Sequence, residues 1–402
     1  MRKYLLLLLA LLPFFSLWAQ QGYPPSIGEI RQGLEKLRVP ASVLYIAAHP
    51  DDENTRFIAW AGNVRNVEAA YLSLTRGDGG QNLIGTEKGP LLGLLRTYEL
   101  MAARSIDRGE QFFTRANDFG YSKSAEETLR IWDRDAVLED MVWVIRKYRP
   151  DVIVTRFPPP KYGYRTHGHH QASAILAEEA FRLAADSTAY PWQLGETEPW
   201  QAKRLYWNTS TWFYSGSGEK FDPRGKVMID VGAFNGNLGR SMGEVAGMSR
   251  SQHKSQGFGA AQTMGRIEEW FEYVAGDSIV SEEPESEGIR KKDLFDGIIT
   301  DWTRIKGGAE LKQLLDKALI EFDPAAPEAS LPVLLQALDW MNAHSENYWV
   351  ARKRPELEKL ILMTAGVDIE ALAVKPATVP GEDLPVDFRV IVRRPVPLML
   401  SE

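Results

Sequence analysis

The sequence predicts an α/β protein: a mostly parallel sheet with helices on both faces, then a helical accessory segment and a short β segment. Three observations carry this. Short apolar runs that read as buried strands alternate with helical patterns of 15 to 25 residues up to about residue 231 of the 402-residue chain. Three polar clusters, "HPDDE", "RGDGGQN" and "HGHH", each fall just past a predicted strand, where open parallel sheets collect their ligands. An acidic break at 277–290, "DSIVSEEPESEGIR", then gives way to helical periodicity up to about 365 and to period-two alternation beyond it.

The elements follow in chain order. "SIGEIRQGLEKL" is a short amphipathic helix by the spacing of Ile27, Ile30, Leu34 and Leu37. Residues 42–48 are a buried strand and 65–75 a second one, and 91–108 are helical. "EQFFT" is strand-like, 125–149 make one long helix, and 150–156 are another buried strand. A helix begins near His170, and strands recur near 203–208 and 225–231. The division expected is a leader at 1–19, a main domain at 20–275, a helical segment at 285–365 and a β segment at 366–402. That last segment alternates around a "PGED" turn like the start of a β-sandwich; two strands are too few for a stable sheet, so they add to another element or the sequence is a piece of something longer.

Residues 1–21 have a basic start (Arg2, Lys3), an apolar run from Tyr4 to Trp18 and a small residue, Ala19. This is the pattern of a secretory signal peptide, with an uncleaved membrane anchor as the competing reading because Leu17 is not small, so the protein is expected to be extracytoplasmic, with no stable membrane insertion after cleavage. Loss of Arg2 and Lys3 takes the formal charge from −7 to −9, a balance that argues against nucleic acid as a partner. There is no cysteine, which excludes disulfides, a thiol nucleophile and zinc–thiolate sites. Any metal must therefore be held by His, Asp or Glu, and the chain has only six histidines.

Two readings compete for "AAHPDDENTRF". Helix capping accounts for Pro50 and one acid. It has no use for His49 or for further carboxylates. "RTHGHHQAS" holds three of the six histidines in four positions, with a loop of satisfied surface histidines as the competing reading. His49 and Asp52 from one strand end, with His170 from another, make a two-histidine, one-carboxylate set. Such a set suits Zn2+ with a fourth position for water, and other divalent transition metals would also accept it. Asp51, pointing the other way from Asp52, can then take the water's proton as general base. His167 sits opposite, steadying the oxyanion or protonating the leaving amine. Glu53 is left to favour the helix start. Together these are the parts for metal-assisted hydrolysis of an amide.

"AAHPDDE" with the later "HGHH" resembles the PIG-L-type (LmbE-like) zinc-dependent N-deacetylases over roughly residues 40–265. The resemblance implies a Rossmann-like fold and removal of acetyl groups from N-acetylglucosamine-type sugars. By the family pattern His49, Asp52 and His170 match the metal ligands, Asp51 the general base and His167 the oxyanion-stabilising histidine. Arg96 matches a position that helps hold substrate, with a solvated helix arginine as the alternative. Asp118 is a candidate for sugar hydroxyls, with turn capping as its alternative. This chain departs from the pattern in having Gly168 and His169 between the two histidines, and His169 is expected to be a bystander on the solvent side. His253, in "SRSQHKSQGFG", is expected to support the site or pack rather than ligate, and His344 to lie on the surface. Tyr162, Tyr164 and Trp207 are candidates for a sugar platform. The expected partner is an N-acetylated amino sugar or glycan. The rival functions are hydrolysis of another N-acyl or ester bond, and non-catalytic glycan binding on the same scaffold.

Overall fold

The computed structural model describes residues 25–158, 166–214, 220–278 and 293–399. The expected leader at 1–19, together with Tyr162 and Tyr164, lies outside the described residues. Strand β1 (Ser42–Ala47) is buried along its whole length, as its unbroken apolar run requires of a strand covered on both faces. It is flanked by β2 (Glu68–Ser73) and β4 (Val152–Thr155), both parallel to it. With β3 (Glu110–Phe113), β5 (Arg204–Thr209), β6 (Val227–Asp230) and β9 (Glu268–Gly276), they form a seven-stranded sheet of order β3-β2-β1-β4-β5-β9-β6. Only β9 runs against its neighbours. Two further strands, β7 (Phe234–Asn235) and β8 (Arg240–Ser241), pair with each other. The sheet is mostly parallel, as its alternating helices demand.

Helix α1 (Ile27–Leu37) precedes the sheet; α2 (Thr55–Asn63) follows β1 and α3 (Pro90–Asp107) follows β2. Helices α4 (Ala125–Ile131) and α5 (Arg134–Tyr148) lead into β4, and α6 (Gly168–Leu183) follows it. Helix α7 (Met242–Arg250) packs with α2 and α3, whereas α4 and α5 pack with α6. The strand order reverses between β1 and β4, which connect outward in opposite directions. The crevice beyond their carboxyl ends is where such sheets bind ligands. His49 follows β1 and His170 follows β4.

The single helix expected over 125–149 is two helices. Asp133 takes a left-handed backbone (φ 54°) between them. The break turns Trp132 inward, its indole N–H donating to the Asn117 carbonyl at 3.0 Å and its ring packed 4.8 Å from that of His169. Helix-forming residues continue on both sides of Asp133, so local propensity carries no sign of the break.

Beyond the sheet, α8 (Gly308–Ile320), α9 (Leu331–Ala343) and α10 (Tyr348–Ala365) share a second core with α1, built on Ile30, Leu34, Trp302, Leu315, Leu334 and Leu357. Charged groups fasten this core to the sheet. Arg304 binds Asp151 through two bonds of 2.7 and 2.9 Å, the Trp302 indole donates to the Leu37 carbonyl at 2.8 Å, and the buried Lys353 pairs with Glu68. A chain ending at residue 275 is therefore expected to lose about 3 kcal/mol or more, since Asp151 would lose Arg304 and Glu68 would keep only Lys36. Its denaturant midpoint, compared with that of the longer chain, checks this; equal midpoints would refute it. Strands β10 (Val367–Ala373) and β11 (Val386–Val392) close the described chain as an antiparallel pair.

Candidate metal and catalytic centre

The turn after β1 is held by bonds from several elements. The Tyr71 hydroxyl of β2 donates to the His49 carbonyl at 2.5 Å, and the His49 N–H donates to Asp52 at 2.8 Å. Asp51 takes φ 87°, a region that side chains other than glycine and asparagine avoid at a cost of about 1–3 kcal/mol. Three groups hold it there. Its N–H donates to Glu53 at 2.8 Å, its carbonyl accepts from Arg250 at 2.7 Å, and its carboxylate lies 3.3 Å from Arg96. Strain at a tightly braced residue is a mark of a functional turn.

The second contribution comes from the start of α6. Gly168 separates His167 from His169 because a Cβ there would come within 2.3 Å of the Ser122 hydroxyl and 2.5 Å of the Ser124 carbonyl. His170 is clamped by Phe157, whose ring stacks on it at 3.7 Å and 6°. Ligand atoms of His49, Asp52 and His170 lie within 4.8 Å of one another. His49 Nδ1 is 2.9 Å from Asp52 Oδ2, and His170 Nε2 is 3.6 Å from Asp52 Oδ1, too long for a hydrogen bond but the spacing of two donors facing one ion. His49, His167 and His169 form a second such group. The first suits a dication better. It supplies a carboxylate, whereas His167 Nε2 already accepts the Ser122 N–H at 2.9 Å.

Electrostatics separate the two neighbouring aspartates. Burial alone would raise Asp52, but the His170 and His49 imidazoles outweigh it and hold its carboxyl well below the usual carboxylate range. Burial pushes Asp51 up to about 6, against the pull of Arg96. Asp52 is thus a permanent anion, and Asp51 a carboxylate able to take and release a proton near neutrality. Burial, then the charge of His49, lowers His167, which stays neutral. With Nε2 accepting from Ser122, its proton sits on Nδ1, a buried atom that faces the Gly120 backbone.

His169 is not on the solvent side. It is fully buried, packed edge-on against Phe119 at 4.5 Å, and its Nδ1 lies 2.9 Å from His49 Nε2. The helix turn that Gly168 permits points it into the core, where it sets the orientation of the His49 ring. Glu53 does not start α2; Asn54 does, accepting the Phe57 N–H at 3.1 Å. Glu53 is buried instead, 2.7 Å from His253 Nε2 and 3.4 Å from Arg104. Burial would raise it, but His253 and Arg104 outweigh that and hold it at about 2.

Arg96 is neither solvated nor in the cavity wall. It is buried behind the turn, donating to the Pro50 carbonyl at 2.5 Å and facing Asp51. Asp118 accepts the Gly120 N–H at 2.8 Å, the turn-capping arrangement, and lies 3.7 Å from His169. Trp207 is fully buried and offers no platform; His344 is exposed and stacks on Trp340 at 3.8 Å. The histidine and aspartate group opens into a cavity of about 460 Å³ whose wall also includes Arg56, Arg156, Trp212, Arg250 and Glu269. None of these five stood out in the sequence. Arg156 directly follows a strand end and Trp212 comes three residues after one, the one positional signal that would have drawn attention to them.

Residues 44–181 match the family model described as GlcNAc-PI de-N-acetylase, PIG-L. A 1D-myo-inositol 2-acetamido-2-deoxy-alpha-D-glucopyranoside deacetylase from Rhodococcus jostii is 32% identical over 189 residues, which cover 42% of this chain and 61% of that protein. The protein of the same description from Streptomyces scabiei is 30% identical over 201 residues, 46% of this chain and 60% of its own. The chain thus spans about three fifths of the length of these curated relatives. Among solved structures, N,N'-diacetylchitobiose deacetylase from Pyrococcus horikoshii is 18% identical with a TM-score of 0.39, over 54% of this chain and 70% of that one. The matched stretch runs from β1 through α6 and contains all of His49, Asp51, Asp52, Arg96, Asp118, His167 and His170: over residues 44–181 the chain is similar to the PIG-L, or GlcNAc-PI de-N-acetylase, family.

Proposed function

We propose that this protein is an exported, metal-dependent deacetylase that removes the N-acetyl group from an N-acetylglucosamine-type sugar or glycan. The observation that carries the proposal is the division of labour around one turn: Asp52 converges with His49 and His170, while the adjacent Asp51 is braced apart from them with a proton affinity near neutrality. A dication suits the first three residues, whose donor set is two imidazoles and one permanently ionised carboxylate. Zn2+ or a similar ion held by His49, Asp52 and His170 would supply Lewis acidity to the acyl oxygen and acidify water.

The chain's own residues do the rest. Asp51 takes the proton from the attacking water at its carboxylate and carries it to the departing nitrogen. Arg96 keeps that carboxylate turned to its task. His167, neutral and beside His49, steadies the acyl oxygen as negative charge builds on it. The deacetylases of an acetamido-glucopyranoside among the relatives support the substrate class. The leader pattern of residues 1–19 supports export, while no helix among the described residues is long and apolar enough to cross a membrane.

The test joins three measurements on protein recovered from the producing cell. Expected are about one equivalent of divalent transition metal, acetate release from N-acetylglucosamine oligomers that stops on chelation, and a mature N-terminus near Gln20. Phosphate release from model esters without acetate release would favour the rival hydrolase. Tight glycan binding with no turnover would favour a binding protein, and an intact Met1 would remove the case for export.

A further inference from the structure

Helix α3 is turned inside out. Its four charged side chains are all buried. Arg96 faces Asp51, Glu99 accepts the Ser255 N–H at 2.7 Å and the Ser255 hydroxyl at 2.6 Å, and Arg104 binds Asp107. Its solvent side carries no charge at all. Leu91, Leu94, Tyr98 and Met101 stand there, each more than half exposed, with the exposed Ser105 next in the row. A surface helix of a globular protein normally has the opposite arrangement. Among the described residues, no other helix leaves more than one large apolar side chain exposed.

The spacing points to what covers this row. Steps of three, four, three and four residues from Leu91 to Ser105 are those of a helix seam, in which each side chain enters a hole on a facing helix. A sheet face has period two and offers no such holes. A bilayer surface would call for cations along the helix, and the exposed side of α3 has none. The one matching neutral row among the described helices is α3 itself, in a second copy. Two such rows meet about a two-fold axis without bringing like charges together, even on a chain of formal charge −7.

The size fits as well. The row runs for roughly 21 Å at the helical rise. Large side chains exposed over that length make an apolar patch of several hundred Å², which is the core of a standard interface burying about 800 Å² per partner. Beside it Thr97, Met101 and Ser105 line a cavity of about 520 Å³ together with Gln111 and Phe113 of β3, the edge strand of the sheet. That cavity has room for a side chain from a facing helix.

We infer that the protein is a two-fold dimer in which the outer face of α3 packs on α3 of the second copy, with Tyr98 at the middle of the contact. A contact of this kind closes at two chains.

Sedimentation equilibrium of the purified protein without detergent should give twice the chain mass. Leu94→Glu and Tyr98→Lys change exposed positions where folding is not at stake, and a two-fold contact meets each new charge twice. Each should weaken the dimer by about 30-fold or more, the loss that marks a hot-spot residue, with an unchanged circular dichroism spectrum. Because the chain has no cysteine, Tyr98→Cys introduces a single reporter thiol. Mild oxidation should join two chains through it, whereas Ile131→Cys, exposed on α4, should stay single. A monomer at every concentration would overturn the inference, as would a dimer that both charged variants leave intact. A mass that keeps growing with concentration would mean a head-to-tail contact and would overturn it too. Dimer loss with Phe388→Lys but not with the α3 variants would place the contact on the β10–β11 hairpin instead. A monomer that floats with phosphatidylcholine vesicles would assign the row to a membrane surface and sink the dimer.

Discussion

Asp51→Asn is expected to keep the metal and to lose about 10²- to 10⁴-fold in turnover, the range for removal of a general base. Asparagine is the right replacement because it tolerates the left-handed backbone that Asp51 adopts at φ 87°. Asp52→Ala, His49→Ala and His170→Ala should lose metal and activity together, because each removes one of only three protein donors. His167→Ala should retain metal and lose rate, since its role is at the acyl oxygen and its Nε2 is engaged with Ser122 rather than with the metal. Elemental analysis beside turnover on one N-acetylated substrate separates the two groups. An empty site in Asp51→Asn with a full one in Asp52→Asn would exchange the roles. The acid limb of the pH profile supplies a second reading. Asp51 must be ionised to act, so activity rises with pH through its pKa. Arg96 pulls that pKa down against burial, so Arg96→Gln should move the limb to higher pH. A limb that stayed in place would mean that another group sets it.

Glu53→Ala should destabilise the fold by about 3–5 kcal/mol, the cost of breaking a buried charged network by removing one partner. It would strip His253 of its bond at 2.7 Å and leave the Asp51 N–H without an acceptor. Arg104 would fare better, because Asp107 still binds it at 2.6 Å. The residual activity of the folded fraction should fall as well, because Asp51 loses one of the groups that hold its unfavourable backbone. Glu53→Gln keeps the shape and an acceptor and isolates the charge. The folded pKa of Glu53, about 2, lies below the roughly 4.3 of an unfolded glutamate, so its charge stabilises the fold above that value. This contribution is lost as pH falls towards 2. The stability gap between wild type and Glu53→Gln, measured by denaturant on metal-free protein, should therefore narrow between about pH 4 and pH 2. A gap independent of pH would show that Glu53 acts by shape alone.

Both predictions centre on residues of a single pentapeptide, 49–53, yet these were not equally legible. His49, Asp51 and Asp52 could be read because they lie immediately past the end of an apolar run, and His170 because three histidines fall in four positions on the connection after another strand; parallel sheets gather such positions on one rim. Glu53 was misread as a helix-starting acid because its partners, His253 and Arg104, are remote in the chain. His169 was misread because a histidine between two site histidines gives no sign of its direction until the backbone of α6 is set by Gly168.

What the sequence determined by itself is the alternation that builds a mostly parallel sheet, the rim on which the polar clusters meet, and the types of residue available to bind a metal in a chain without cysteine. These are local properties: strand burial, helical period and position relative to a strand end are all written within a few neighbouring residues. Only the tertiary structure decided that His169 is buried against His49, that Arg96 backs Asp51 rather than lining the cavity, that α1 shares a core with helices beginning at residue 308, and that Arg56, Arg156 and Arg250 face one space. Each is a pairing between side chains far apart in sequence. Such pairings depend on the direction in which a packed backbone points each side chain, which no local pattern encodes.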